Sequence, residues 1–180
     1  MVYMLLGTGF EETEALTPVD LLRRAGIEVL TVGVSGKTVT GGHGIAVRAD
    51  IRLSEMDLTK LDMLVLPGGA GGVASLKRSK KALDAVKFAW ENGKKVAAIC
   101  AAPTILAGLH ITDGHQVTCY PGCEKDMGSA VIVPDTAYVV DGQLITGTSA
   151  GCAIPFGLAL VAALKGEDAA KHVAEQIVIR

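Results

Sequence analysis

The sequence predicts an α/β fold in which a parallel sheet is packed on both faces by helices. Three observations predict it. Short apolar runs alternate with helical segments, as repeated βαβ units require. The chain is 49% hydrophobic but only 4% aromatic, so its core must be aliphatic, built from Val, Ile, Leu and Ala. That usage, with 22 glycines, suits strands buried on both faces and joined by tight turns. At 180 residues the chain is long enough to bury a substantial core. No internal repeat, linker or low-complexity stretch divides it, so residues 1–180 are expected to form one domain.

The elements follow in order. Residues 2–6 read as a buried strand. Gly7-Thr8-Gly9 turns the chain, and 11–25 form an amphipathic helix with Leu16, Val19, Leu21 and Leu22 inward. The second strand is 27–34. Residues 37–49 have strand character broken by Gly41, Gly42 and Gly44, which indicates a short hairpin or excursion. A buried strand at 62–66 stops at Pro67-Gly68-Gly69. Residues 79–92 form a helix ended by Gly93 in the capping position. The apolar strand 95–99 runs straight into a helix at 101–109. Short strands are expected near 116–119, 130–133 and 137–140, and Asp141-Gly142 is a hairpin turn leading into 143–146. Helices at 153–165 and 168–176 close the chain.

A formal net charge of −2 argues against a nucleic-acid binder. The longest apolar stretch, 96–109, contains Cys100 and Pro103 and falls short of the about 18 residues a membrane span needs. With a strand starting at residue 2, no leader is expected. The four cysteines contain no CxxC pair and read as reduced thiols, so the expected compartment is cytoplasmic.

The strongest chemical signal is Val96-Ala97-Ala98-Ile99-Cys100-Ala101-Ala102-Pro103-Thr104. A buried strand runs into a cysteine and a helix begins at once, the pattern of a nucleophile elbow above the carboxyl ends of the strands. Ala101 and Ala102 supply the small neighbours such a turn needs, and Pro103 suits a first helical turn. The helix N-terminus is expected to favour the thiolate and lower the thiol pKa. On position alone, Cys100 also fits a small core residue. Pro67-Gly68-Gly69 opens at the same sheet edge, where glycine N–H groups can hold an oxyanion or simply make a turn. Glu11, Glu12 and Glu14 stand in the first helical turn. The helix dipole accounts for at least two of them. A third, with Glu14 the candidate, can face the crevice, where burial would keep it protonated and able to donate a hydrogen bond to sulfur.

Together with those residues, the segments 9–17 (GFEETEALT), 18–27 (PVDLLRRAGI), 64–69 (LVLPGG) and 96–104 (VAAICAAPT), and the helix 158–164 with Gly166, resemble the ThiJ/PfpI superfamily. They are most similar to its DJ-one branch, the parkinsonism-associated deglycase-like proteins. The resemblance runs from residue 2 to about 178, in family order and spacing. It implies a flavodoxin-like parallel sheet and a homodimer. It also implies Cys100 as nucleophile, Glu14 as the acid that hydrogen-bonds it, and Gly69 and Ala101 as backbone donors of an oxyanion site.

The chain also departs from the family. Tyr120 stands where the family often has a histidine near the cysteine, and His43 and Thr148 stand where pocket arginines occur. His43 is weighed as a residue reaching Cys100 across a dimer interface and as an ordinary surface histidine. Cys119 is weighed as a relay partner of Cys100 and as a plain, partly buried thiol. Cys119 and Cys123 lack further well-spaced ligands, so no metal site is expected, and no cofactor is implied. Cys152 reads as packing. The basic cluster Lys77-Arg78 with Lys80-Lys81 reads as a solvated face. Superfamily peptidases carry a histidine directly after the cysteine, where this chain has Ala101. Amidotransferases use a downstream His-x-Glu, which does not occur in this chain.

Two functions follow as expectations. One is a glyoxalase or deglycase acting on small reactive carbonyls such as methylglyoxal, without glutathione. The other is a redox-sensing stress protein or chaperone working through oxidation of Cys100.

Overall fold

A computed structural model describes residues 1–179. The first half of the chain gives β1 (Val2–Leu6), α1 (Glu12–Arg24), β2 (Val29–Gly33), β3 (Thr38–Thr40), β4 (Ala46–Arg48), β5 (Ile51–Arg52), β6 (Met63–Leu66), α2 (Ala70–Arg78) and α3 (Lys80–Glu91). The second half gives β7 (Lys95–Ile99), α4 (Pro103–Ala107), β8 (Gln116–Val117), β9 (Val131–Ile132), β10 (Tyr138–Asp141), β11 (Leu144–Gly147), α5 (Ala153–Lys165) and α6 (Glu167–Gln176).

A seven-stranded sheet takes the order β10-β11-β7-β6-β1-β2-β5, and every neighbouring pair is parallel except the β10–β11 hairpin. Alternation along each strand divides the core into two layers. Met4, Leu6, Val65, Ala97 and Ile99 pack with Val19 and Leu22 of α1, Phe156 and Leu160 of α5 and Val173 of α6. Tyr3, Leu5, Leu64, Leu66 and Ala98 pack with Leu76 of α2, Val86 of α3 and Ile105 of α4. Burial on both sides is why β1 and β6 are unbroken apolar runs rather than alternating ones. No helix among the described residues is long and apolar enough to cross a membrane.

The chain leaves β1 for β2 on one side of it and later returns to β6 on the other. A crevice therefore opens above the carboxyl ends of β1 and β6, where such sheets carry their sites. Register brings Leu66 opposite Ala98 and Gly147 opposite Ile99, so β6, β7 and β11 end level with Cys100.

Several elements differ from expectation. Residues 70–78 form a helix that the sequence hides, because Gly71 and Gly72 lower helix propensity. Their reason is contact: a Cβ at Gly72 would lie 2.6 Å from the Cα of Phe10. The expected helix 101–109 is only Pro103–Ala107, preceded by a turn at Ala101-Ala102. Leu16, expected inward, is 36% exposed. The stretch 37–49 is the hairpin β3–β4, and the two-residue edge strand β5 carries too little pattern to be seen in sequence. β8 and β9 pair with each other, apart from the main sheet.

Candidate active site

Cys100 leaves the end of β7 at φ +65°, a left-handed conformation that costs an L-residue about 1–2 kcal/mol. Its neighbours hold it there. The Cys100 N–H donates to the Gly147 carbonyl at 2.9 Å, and its own carbonyl accepts from the Tyr120 N–H at 2.8 Å. The Ala102 N–H closes the turn onto the Ile99 carbonyl at 3.1 Å.

Glu14 lies in the first turn of α1 and is 1% exposed. Its Oε2 accepts the Gly68 N–H at 2.9 Å, and its carboxyl faces the Cys100 sulfur across Gly68. The loops carrying the two residues are joined by the Glu11 N–H, which donates to the Gly68 carbonyl at 3.0 Å. Gly68 fills the remaining space. A Cβ there would sit 2.5 Å from Glu14 Oε2 and 2.6 Å from Cys100 Cβ. The backbone N–H groups of Gly69 and Ala101 act on the sulfur and favour its thiolate. Gly69 takes φ +85°, which glycine adopts without strain.

Burial pushes the Glu14 carboxyl up to about 7, helped by the nearby charge of Glu11 and opposed by the hydrogen bonds from Cys100 and Gly68. Burial, then the Glu14 carboxylate and its hydrogen bond, push the Cys100 thiol up to about 12 against the two backbone N–H groups. The lowered thiol expected from a helix N-terminus is therefore not found. Helix α4 starts three residues on and is five residues long, so its dipole is small. The two groups are best described as sharing one negative charge. A thiolate at Cys100 goes with a protonated Glu14, which then donates to sulfur instead of repelling it.

Glu12, adequately explained in sequence by the helix dipole, proves to be buried and structural. Its Oε1 accepts the N–H groups of His43 at 2.9 Å and Ile45 at 3.4 Å, and its Oε2 lies 3.0 Å from His43 Nδ1. Burial alone would raise its pKa, but these bonds outweigh it and hold the group near 2. The carboxylate thus pins the β3–β4 hairpin over the start of α1. Nothing in Glu-Glu-Thr-Glu distinguishes this acid from its neighbours. The signal lay in Gly41, where a Cβ would fall 2.3 Å from the Glu12 carboxyl.

His43 therefore sits on Glu12, and its Nδ1 lies 3.6 Å from Glu11. Glu12 first, then Glu11, raise its pKa. Ligand atoms of Glu11, Glu12 and His43 come within 4.8 Å of one another. The Glu12 oxygens are already occupied by hydrogen-bond donors, so these contacts are accounted for as an ion-pair network. Tyr120 holds the Cys100 carbonyl through its backbone, while its side chain is exposed. Thr148 follows Gly147 and shares a hydroxyl hydrogen bond with Thr118 at 2.9 Å. Cys119 packs in the layer beneath α2, α3 and α4, with Cys123 against that same layer, whereas Cys100 packs against the opposite one.

Fold and site define a class: an α/β protein with a cysteine on a strained strand-to-helix turn, facing a buried carboxyl across two glycine-rich loops. The chain belongs to the DJ-1/PfpI family, whose model matches residues 1–163. It is 34% identical over 178 residues to protein dj-1beta of Drosophila melanogaster, covering 98% of this chain and 95% of that one. It is 34% identical over 151 residues to a protein named a deglycase from Pyrococcus abyssi, covering 83% of this chain and 90% of the other. Among solved structures it is similar to a cysteine-to-alanine mutant of a DJ-1 superfamily protein from Salmonella typhimurium. That match has a TM-score of 0.94 and 34% identity, and covers 99% of this chain and 98% of that one.

Proposed function

We propose that the protein converts small reactive carbonyl compounds through Cys100, as a glutathione-independent glyoxalase or deglycase. The observation that carries the reading is the buried Glu14 carboxyl, pushed up to about 7 by burial and packed across Gly68 from a cysteine in left-handed conformation. A carboxyl poised near neutrality is suited to giving and taking a proton at one site. In the proposed reaction the Cys100 thiolate adds to the aldehyde carbon of methylglyoxal while Glu14 holds the proton. The N–H groups of Gly69 and Ala101 stabilise the charge that develops on oxygen. Glu14 then moves a proton between the two carbons of the hemithioacetal, which becomes a lactoyl thioester. Water cleaves it, releasing lactate and restoring the thiol, so methylglyoxal and water give lactic acid with no external oxidant or reductant. Relatives named deglycases, in Pyrococcus abyssi among others, support this class of substrate. The chain is proposed to act as a homodimer, which light scattering on the purified protein tests.

Lactate formation from methylglyoxal is the decisive assay. Cys100→Ser and Glu14→Gln should each lose it, and full activity in the Cys100 variant would end the proposal. A second reading rests on the same contact. A protonated Glu14 is placed to donate to a sulfinate oxygen, which favours stopping oxidation of Cys100 at that stage. Mild peroxide should then add about 32 Da (two oxygens) at Cys100 alone. Oxidation spread over all four cysteines would exclude a sensing role.

A further inference from the structure

Part of the basic cluster that the sequence presents as a solvated face lines a groove instead. Lys80 and Lys81 open α3 and, with Arg52 at the end of β5, border a cleft of about 560 Å³ that also holds Ser35, Ser54 and Ser79. Register sets Arg52 opposite Gly33, so the cleft opens above the β2–β5 edge of the sheet, outside the crevice of Cys100. No acid lines it. Asp84 is held by Lys80 Nζ at 2.7 Å, and Glu55 accepts the Arg52 backbone N–H at 2.7 Å. The side chains of Arg52 and Lys81 form no ion pair among the described residues. A second cleft of about 430 Å³ continues the first, sharing Leu53, Ser54 and Lys81 with it. This part is apolar. Leu53, Met56 and Leu58 stand on one wall, in and between the single turns Leu53–Glu55 and Leu58–Lys60, and Ala85 and Phe88 of α3 stand on the other. Leu53, Met56, Leu58 and Phe88 are half-buried and rest on the core layer of α2, α3 and α4. The one acid on these walls is Asp84, already paired with Lys80.

A groove that is cationic at one end and apolar along the rest is complementary to a molecule with an anionic head and a hydrocarbon tail. Arg52 offers a planar fork that suits a carboxylate, and Lys81 adds a point charge at the junction of the two clefts. Asp84 disfavours a negative head at the apolar end, which fixes the direction of binding. Lys81, Ala85 and Phe88 follow one face of α3 at helical spacing, so the tail has a straight path along the helix. From Lys81 to Phe88 that path is about 10 Å, room for a tail of roughly eight carbons. We propose that this groove binds a medium-chain alkyl carboxylate, its head between Arg52 and Lys81 and its tail along Leu53, Leu58 and Phe88. The site is separate from Cys100, and the proposal stands independently of the chemistry assigned there.

Titration of the full chain with octanoate, followed by amide NMR, tests this. Saturable shifts should fall on Arg52, Lys81, Leu58 and Phe88 together. Acetate, which is the head alone, and octanol, which is the tail alone, should each bind at least about tenfold more weakly. Arg52→Gln and Lys81→Gln should each weaken octanoate binding by about three- to tenfold. Both side chains are exposed, so these variants should melt with the wild type. Lys77→Gln, in the same basic cluster but outside the groove, should change nothing. Raising the salt to about 0.5 M should weaken binding of octanoate but not of octanol. Octanol binding as tightly as octanoate, or an equal loss in Lys77→Gln, overturns the proposal. So does the absence of saturable shifts along the groove up to about 10 mM octanoate. Binding to anionic lipid vesicles without a response to octanoate also overturns it, in favour of a membrane surface.

Discussion

Gly68→Ala is the most direct probe of the site, because the added methyl has nowhere to go. Its carbon would stand 2.5 Å from Glu14 Oε2, 2.6 Å from Cys100 Cβ and 3.0 Å from Cys100 Sγ. Ordinary carbon contacts begin near about 3.5 Å, so each of these groups must move by roughly 0.5–1 Å. The backbone at Gly68 is not left-handed, so alanine adds no conformational strain of its own, and the whole effect is steric. Overpacking of this kind costs about 1–3 kcal/mol, which for a chain of this length lowers the melting temperature by roughly 2–12 °C. The larger effect falls on reactivity. Displacing nucleophile and acid by up to about 1 Å costs on the order of a hundredfold in kcat/KM. The assay is lactate formation at a temperature where calorimetry shows the variant fully folded. A variant with wild-type rate and wild-type melting temperature would refute the packing described around Cys100.

Other predictions bear on the same residues. Because Glu14 is raised from 4.5 to about 7, the folded state holds a proton there that the unfolded chain has lost. Stability from this group is full below pH 4.5 and is lost as pH rises toward 7, by at most about 3 kcal/mol. Urea unfolding at pH 5 and pH 7 should show this fall in wild type and a flatter profile in Glu14→Gln; an equal slope in both would contradict it. Glu12 behaves in the opposite sense. Lowered to about 2, it stabilises above pH 4.5 and ceases to do so as pH falls toward 2. Glu12→Gln should therefore release the β3–β4 hairpin, seen as faster amide exchange at His43 and Ile45. At position 100, the left-handed backbone reverses the usual ranking of small residues. Cys100→Gly should be more stable than Cys100→Ala by about 1 kcal/mol, or roughly 2–4 °C in melting temperature, and the opposite order would contradict the strained turn.

The central strands were legible because burial on both faces writes itself as continuous apolar runs, as in Val2–Leu6 and in residues 96–99 after Lys95. The elbow was legible because a strand, a cysteine and a proline-led helix follow within a few residues, separated only by Ala101 and Ala102. Helix α2 was not legible. Its glycines answer to the backbone of Phe10, a contact made across the fold and invisible to local propensity. The roles of the three acids were only partly legible. Their order along α1 suggested that one faces the crevice, but the separate task of Glu12 depends on a hairpin 31 residues away. The direction of the thiol shift was misjudged for a similar reason. A helix dipole is a local expectation, whereas burial and the facing carboxyl arise from tertiary packing.

The carbonyl that receives the Cys100 N–H belongs to Gly147, and this glycine is wedged against two side chains of one core layer. A methyl there would meet Phe156 at 2.8 Å and Ile99 at 2.9 Å. The nucleophile is thus braced from behind by residues that no solute ever touches. Exchanges at Phe156 or Ile99 offer a way to retune the thiol while leaving every group that faces solvent intact. Variation buried beneath the sheet edge can then alter chemistry as effectively as variation at the mouth.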